Sequence, residues 1–170
     1  MAATARPLAG SQRPLLLLDV DGVLNPFAAI GCPPGYTEHE FFPGEEPVRL
    51  CATHGRWLRE LSTRFQLVWA TAWGSEANRV IAPLLQLPEL PVIRFPPPPF
   101  EPLDKLEPIT EYAGQRPLTW IDDQHTPEAQ EWAAQRDVPT LLISVDPTEG
   151  LTRAVVDRSL QWADDHRQDG

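Results

Sequence analysis

The chain has 170 residues, enough for one domain that buries its own core without disulfides as staples. Its 24 acidic residues outnumber 14 basic ones for a net charge of −10, and no basic patch is large enough to follow a phosphate backbone. That argues against stable nucleic-acid binding and leaves open a phosphorylated partner, small or bulky. Two cysteines, Cys32 and Cys51, exclude a disulfide framework and suit a reducing cytoplasm; no apolar run reaches signal-peptide or membrane-spanning length, so a cytoplasmic location without a membrane partner is expected.

Residues 1–13, rich in Ala, Arg, Pro and Gly, read as a loose tail ahead of a single domain over 14–170. Leu15 to Leu18 then read as a strand buried on both faces, running straight into Asp19, Asp21, Gly22 and the stop Asn25-Pro26. Two carboxylates at the rim of a core are costly unless something cationic sits beside them. The economical reading is a metal-dependent site at the carboxyl end of a central strand. Residues 27–35 form a loop, and Tyr36–Phe42 and Val48–Cys51 flank Pro43-Gly44-Glu45-Glu46 as a hairpin, a flap over 36–51. Thr53 is placed to cap a helix through Arg64, with Trp57, Leu58 and Leu61 on one face.

Phe65 to Ala70 is a second apolar strand, ending at Thr71-Ala72-Trp73-Gly74, and Ser75 is placed to cap a helix that Pro83 ends or kinks. Val92 to Phe95 makes a third, short strand. The chain holds 20 prolines, concentrated between Pro83 and Pro108, and residues 96–102 read as a stiff strap across the surface. Leu103 to Tyr112 is helical, broken or shortened at Pro108. Pro117 to Ile121 is the fourth strand and ends in Asp122-Asp123. Thr126-Pro127-Glu128 is a helix start with cap, proline and first-turn acid, and that helix carries Trp132. Thr140 to Val145 is the fifth strand, and a last helix over Thr152 to His166 carries Trp162. Strands alternating with helices predict an α/β doubly wound parallel sheet of about five strands with helices on both faces.

Strands one, two and four each end in polar residues: Asp19 and Asp21, Thr71, and Asp122 and Asp123. Ligands of open α/β sheets bind outside the carboxyl ends of strands. Lys105 is the only lysine in the chain, against 13 arginines, which suggests a role for a compact ammonium. Trp73, two residues after Thr71, either faces the pocket and stacks on substrate or packs; His125 either contacts a leaving group or is a solvated turn histidine. Asn25 is a further candidate substrate contact, and Glu76 and Asn78 lie nearby. Cys32, His39, Cys51 and His54 have zinc-compatible donors at an irregular spacing, against which stands the ordinary reading of buried thiols and surface histidines.

The set Asp-x-Asp-Gly (Asp19 to Gly22), Thr71, Lys105 and Asp122-Asp123 resembles the haloacid dehalogenase (HAD) superfamily of phosphohydrolases, in the same order from about residue 14 to 146. The wording Asp-Gly-Val-Leu-Asn, Trp-Ala-Thr-Ala-Trp and Trp-Ile-Asp-Asp is similar to small HAD domains proposed for RNA repair. Val23 departs from the Thr common after the glycine. The resemblance implies a Rossmann-like sheet in the order 5-4-1-2-3 and, given the short insertions, no folded cap domain. It also implies a site left open, covered at most by the hairpin or by a second copy in a homodimer.

The resemblance further implies Asp19 as nucleophile, giving an aspartyl-phosphate, and Asp21 as general acid and base. Thr71, Lys105, Gly22 and Ala72 would bind the phosphoryl group. Mg²⁺ would be held by Asp19, the main-chain carbonyl of Asp21 and Asp122, with Asp123 behind these ligands or linked through water. The expected activity is hydrolysis of a phosphomonoester. The alternatives are a nucleic-acid end-processing phosphatase acting on 3′- or 5′-phosphates, and a non-catalytic phospho-ligand binding module.

Overall fold

In the computed structural model, which describes residues 12–167, the four leucines form β1 (Leu15–Leu18), and all four are fully buried. The chain continues through the hairpin β2 (Thr37–His39) and β3 (Val48–Leu50), then α1 (Ala52–Leu61) and β4 (Gln66–Trp69). After the proline strap come α2 (Leu106–Ala113), β5 (Leu118–Asp122), α3 (Pro127–Gln135), β6 (Thr140–Ser144) and α4 (Arg153–Asp165). β4, β1, β5 and β6 lie side by side in that order, all parallel, with Leu18 opposite both Trp69 and Ile121.

Alternation along β1 explains why helices are needed on both faces. Leu16 and Leu18 pack in one layer with Leu58 and Leu61 of α1 and Val156 of α4; Leu15 and Leu17 pack in the other with Ile109 of α2 and Ala129 of α3. The sheet is thus doubly wound as expected, and its central strand delivers Asp19 to the middle of the carboxyl edge. Of the expected tail, Gln12 and Arg13 are described and 1–11 lie outside the described residues.

Several local expectations are corrected. The third strand shrinks to a single parallel bridge between Trp69 and Val92, with Trp69 N–H donating to Pro91 at 2.9 Å and Ile93 N–H donating to Trp69 at 2.9 Å. Proline cannot donate to a ladder, and the run Pro96–Pro99 stops the edge from extending. α1 begins at Ala52 with extended Cys51 before it and no side-chain cap, so Thr53 lies inside the first turn; the helix ends at Leu61 rather than Arg64. The stretch after Ser75 is one wide turn, Ala77–Ile81, with Glu76 in the cap position and no side-chain cap. Pro108 does not break α2, because it falls in the first turn, where a backbone N–H has no partner to lose. Trp57, Trp132 and Trp162 pack against the two core layers but stay half-buried; the fully buried tryptophans are Trp69 and Trp120, on strands.

The hairpin pairs Thr37 with Leu50 and His39 with Val48. Arg49 pins it to the loop after β1, donating to the carbonyls of Pro26 at 3.3 Å and Ala29 at 2.9 Å. Among the described residues no helix is long and apolar enough to cross a membrane.

Candidate active site

β1 ends between β4 and β5, and Asp19 N–H still donates to Ile121 at 3.2 Å, so its side chain stands at the junction of three strand ends. Asp19 Oδ1 accepts from Val20 N–H at 2.7 Å, and Oδ2 accepts from Lys105 Nζ at 3.1 Å. Lys105 closes the tight turn Pro102–Lys105 that follows the strap, and it also donates to Asp122 Oδ2 at 2.8 Å. Its ammonium lies 5.7 Å from the centre of the Phe95 ring. Asp122 ends β5 and accepts further bonds from Trp120 Nε1 at 3.3 Å and Gln124 N–H at 3.1 Å.

One ammonium therefore serves two buried carboxylates, with Asp123 beside them. Burial and the neighbouring Asp122 charge push Asp19 up to about 8. Asp122 is equally deep, but the charge and hydrogen bond of Lys105 outweigh burial and hold it below the usual carboxylate range. Burial and the adjacent Asp122 push Asp123 up to about 7. Burial opposes the Lys105 charge, yet the two carboxylates hold its pKa above the ordinary lysine value. Asp19, Asp122 and Asp123 each offer one carboxylate oxygen, all within 4.8 Å of one another. Three carboxylates that hinder one another's ionisation form an all-oxygen donor set that fits a hard divalent cation.

Asp21 belongs to a different environment. Residues 20–25 close a tight turn in which the N–H groups of Val23, Leu24 and Asn25 all donate to Val20, at 3.2, 2.8 and 3.0 Å. Asp21 Oδ1 accepts from Asn25 Nδ2 at 2.9 Å, and Oδ2 accepts from Trp73 Nε1 at 3.0 Å. Its carboxylate is thus outside the acidic group and held by neutral donors.

The expectation for Gly22 is corrected. Its amide donates to Asn25 at 2.8 Å and is committed to the turn; what the glycine supplies is space, since a Cβ there would lie 2.5 Å from Asp123 Cγ, at φ +83°. Thr71 is buried at the end of β4 and its Oγ1 accepts from Trp73 N–H at 3.3 Å; Ala72 is exposed in the turn beyond it.

Trp73 is neither an open stacking platform nor a simple packing residue. Its ring is wedged by Phe41 and Phe42 at the end of the hairpin, at 6.1 and 5.7 Å between centres, while its N–H reaches Asp21. Asn25 is likewise no substrate contact, because its Oδ1 accepts from Arg49 N–H at 3.0 Å and its amide faces Asp21. His125 is partly buried rather than a freely solvated turn residue: it sits edge-on to Trp120 at 4.7 Å, its Nδ1 is 3.0 Å from Ser144 Oγ, and burial lowers its pKa. Asn78 bonds Trp69 and both backbone groups of Leu90, and Glu76 pairs with Arg79. The zinc-compatible residues are not brought together: Cys32 is exposed, His54 is buried against the Leu151 carbonyl at 2.9 Å, and the one group of three or more close metal donors among the described residues is the acidic one.

Two contributors were passed over in the sequence. Trp120 stands two residues before Asp122 on one strand, so both point to the same face, a signal that alternation offered. Phe95 beneath Lys105 had none, because the contact crosses the strap.

A family comparison matches residues 15–156 to the HAD domain in Swiss Army Knife RNA repair proteins. Among curated proteins none matches the chain. Among solved structures, a hypothetical protein from Xanthomonas campestris shares the fold with a TM-score of 0.52 and 16% identity, over 91% of this chain and 85% of that one. That likeness speaks to the fold alone.

Proposed function

The chain belongs to the family of HAD domains found in Swiss Army Knife RNA repair proteins, and from that premise we propose that it is a Mg²⁺-dependent phosphatase acting on a phosphomonoester. The observation that carries the reading is the pairing of two acids in unlike settings: Asp19 in a buried group with Lys105, Asp122 and Asp123, and Asp21 beside it on neutral donors only. A divalent cation held among Asp19, Asp122 and Asp123 would favour their charged forms and so leave Asp19 free to attack, while Asp21, outside that group, is left to carry the proton.

In this mechanism Asp19 attacks phosphorus, and the bond to the leaving oxygen breaks as Asp21 gives that oxygen a proton. The aspartyl-phosphate on Asp19 is then opened by water, whose proton returns to Asp21, releasing phosphate and restoring both acids. Lys105 spends two of its three N–H bonds on Asp19 and Asp122 and keeps the third for a phosphoryl oxygen, together with Thr71 and the Ala72 amide. Asp19, Asp122, Asp123 and the Asp21 carbonyl would hold Mg²⁺, which when bound supplies positive charge against the phosphoryl oxygens.

Hydrolysis of an aryl phosphate is expected to require Mg²⁺ and to stop with chelator. Asp19→Asn is expected to abolish it with an unchanged circular dichroism spectrum; retained turnover would overturn the nucleophile assignment. A second reading, removal of a terminal phosphate from RNA, is favoured by the family description. Against it stand the net charge of −10 and the exposed acids Glu38, Glu40, Glu45 and Glu46 on the hairpin, which repel a polyanion. Rates on phosphorylated metabolites, nucleotides and end-phosphorylated oligonucleotides, compared at equal Mg²⁺, separate the two.

A further inference from the structure

We infer that Trp73 and Asn25 are positioning residues for Asp21, and that Trp73 makes the hold on this acid depend on the hairpin; the inference rests on the phosphatase reading above. Each oxygen of the Asp21 carboxylate accepts one N–H, from Asn25 Nδ2 at 2.9 Å and Trp73 Nε1 at 3.0 Å. A carboxylate has about four acceptor sites, so each oxygen keeps one free. Neither donor can take a proton. The free position on each oxygen is thus left for the leaving oxygen or the attacking water.

Both donors are themselves fixed. The Asn25 amide cannot turn over, because its Oδ1 already accepts Arg49 N–H of β3 at 3.0 Å, which leaves Nδ2 to face Asp21. The Trp73 backbone N–H donates to Thr71 Oγ1 at 3.3 Å, and Phe41 and Phe42 wedge its ring. Trp73 thus touches a phosphate-binding candidate, the acid and the hairpin at once. The hairpin supplies both holds, through Arg49 on Asn25 and through the two phenylalanines on Trp73. Misplacing a reacting group by about 1 Å can cost on the order of 100-fold in rate, so fixing both oxygens matters to a group that must deliver a proton at one point.

A buried indole N–H also seeks a partner for packing reasons alone, and the leaving group tells the two roles apart. Trp73→Phe keeps an aromatic ring for Phe41 and Phe42 and removes the N–H together with part of the ring volume. On an alkyl phosphate, whose alkoxide must be protonated to leave, kcat/KM is expected to fall about tenfold or more. On p-nitrophenyl phosphate, whose leaving group departs as a stable anion, the fall is expected to stay under about threefold. kcat/KM reports the step through formation of the aspartyl-phosphate, so a slow second step does not blur the comparison.

Asn25→Ala removes the other donor and is expected to give the same split, which keeps the test sound should Trp73→Phe fail to fold. Phe42→Ala, which leaves both donors in place, is expected to move the same ratio less. Equal losses on both esters in a folded variant would overturn the inference while leaving the phosphatase reading intact. A native protein that hydrolyses neither ester with Mg²⁺ would overturn that reading and this inference with it.

Discussion

Lys105 and Gly22 each do something another residue type could not. The Lys105 ammonium reaches Asp19 at 3.1 Å and Asp122 at 2.8 Å from a site where the residue is 8% exposed, with an aromatic ring behind it. A guanidinium keeps the charge but is a larger planar fork that seeks two oxygens of one carboxylate, not one from each of two. Lys105→Arg is therefore expected to lower kcat/KM by more than about tenfold, a loss of about 1.4 kcal/mol or more of transition-state stabilisation, and unchanged kinetics would remove Lys105 from contact with the phosphoryl group. At Gly22 the fault would be steric. A methyl there meets Asp123 Cγ at 2.5 Å in a conformation L-residues rarely adopt. Gly22→Ala is expected to destabilise the fold by about 1–3 kcal/mol and, by displacing Asp123, to raise the Mg²⁺ concentration needed for half-maximal activity. Thermal melting and a Mg²⁺ titration check the two effects separately.

At the scale of elements, much was legible in the sequence where a single local rule decides the outcome. Four leucines with no polar face require cover on both sides, and strands ending in Asp, Thr and Asp-Asp put polar chemistry along one sheet edge, as the structure places them. The elements misjudged are those where tertiary contacts override a local preference. The edge at Val92 stays short between Pro91 and the run Pro96–Pro99, and the roles of Trp73, Asn25 and His125 depend on partners 52, 24 and 19 residues away. Helix caps show the same divide. Thr126 accepts from Ala129 N–H at 3.2 Å at the head of α3, whereas Thr53 lies inside α1 and accepts only from the Arg56 side chain, at 3.2 Å. Thr126→Ala is expected to cost about 1 kcal/mol in urea unfolding and Thr53→Ala only a few tenths. Equal losses would mean that the cap geometry at α3 contributes nothing.

Across the whole molecule, His54 is the point where distant segments meet. It rises from α1 into a buried space where its Nε2 lies 2.9 Å from the Leu151 carbonyl, in the connection after β6, and 3.4 Å from the Tyr36 hydroxyl at the start of the hairpin. Trp57 packs beside it at 5.4 Å between ring centres, and Tyr36 itself donates to the Glu149 carbonyl at 3.2 Å. The groups facing His54 are thus a neutral hydroxyl, a carbonyl and an indole, and burial, with Cys51 nearby, pushes the Tyr36 hydroxyl up to about 12. With no carboxylate to receive a charge, burial lowers His54 from 6.5 to about 4, although the hydrogen bond to Leu151 pulls the other way. A histidine depressed in the folded state binds its proton more readily when unfolded. Its contribution to stability is full above pH 6.5 and drains away as the pH falls towards 4. The amount is on the order of 3 kcal/mol, enough to matter against a total of about 5–15 kcal/mol. Since carboxylates titrate in the lower part of the same range, the informative quantity is the difference between the native protein and His54→Gln, which keeps a donor for Leu151 but cannot titrate. That difference in unfolding free energy, followed in urea at fixed temperature, is expected to shrink steadily between pH 6.5 and 4; a constant difference would show that His54 takes up its proton without loosening the junction of hairpin, α1 and the β6 connection.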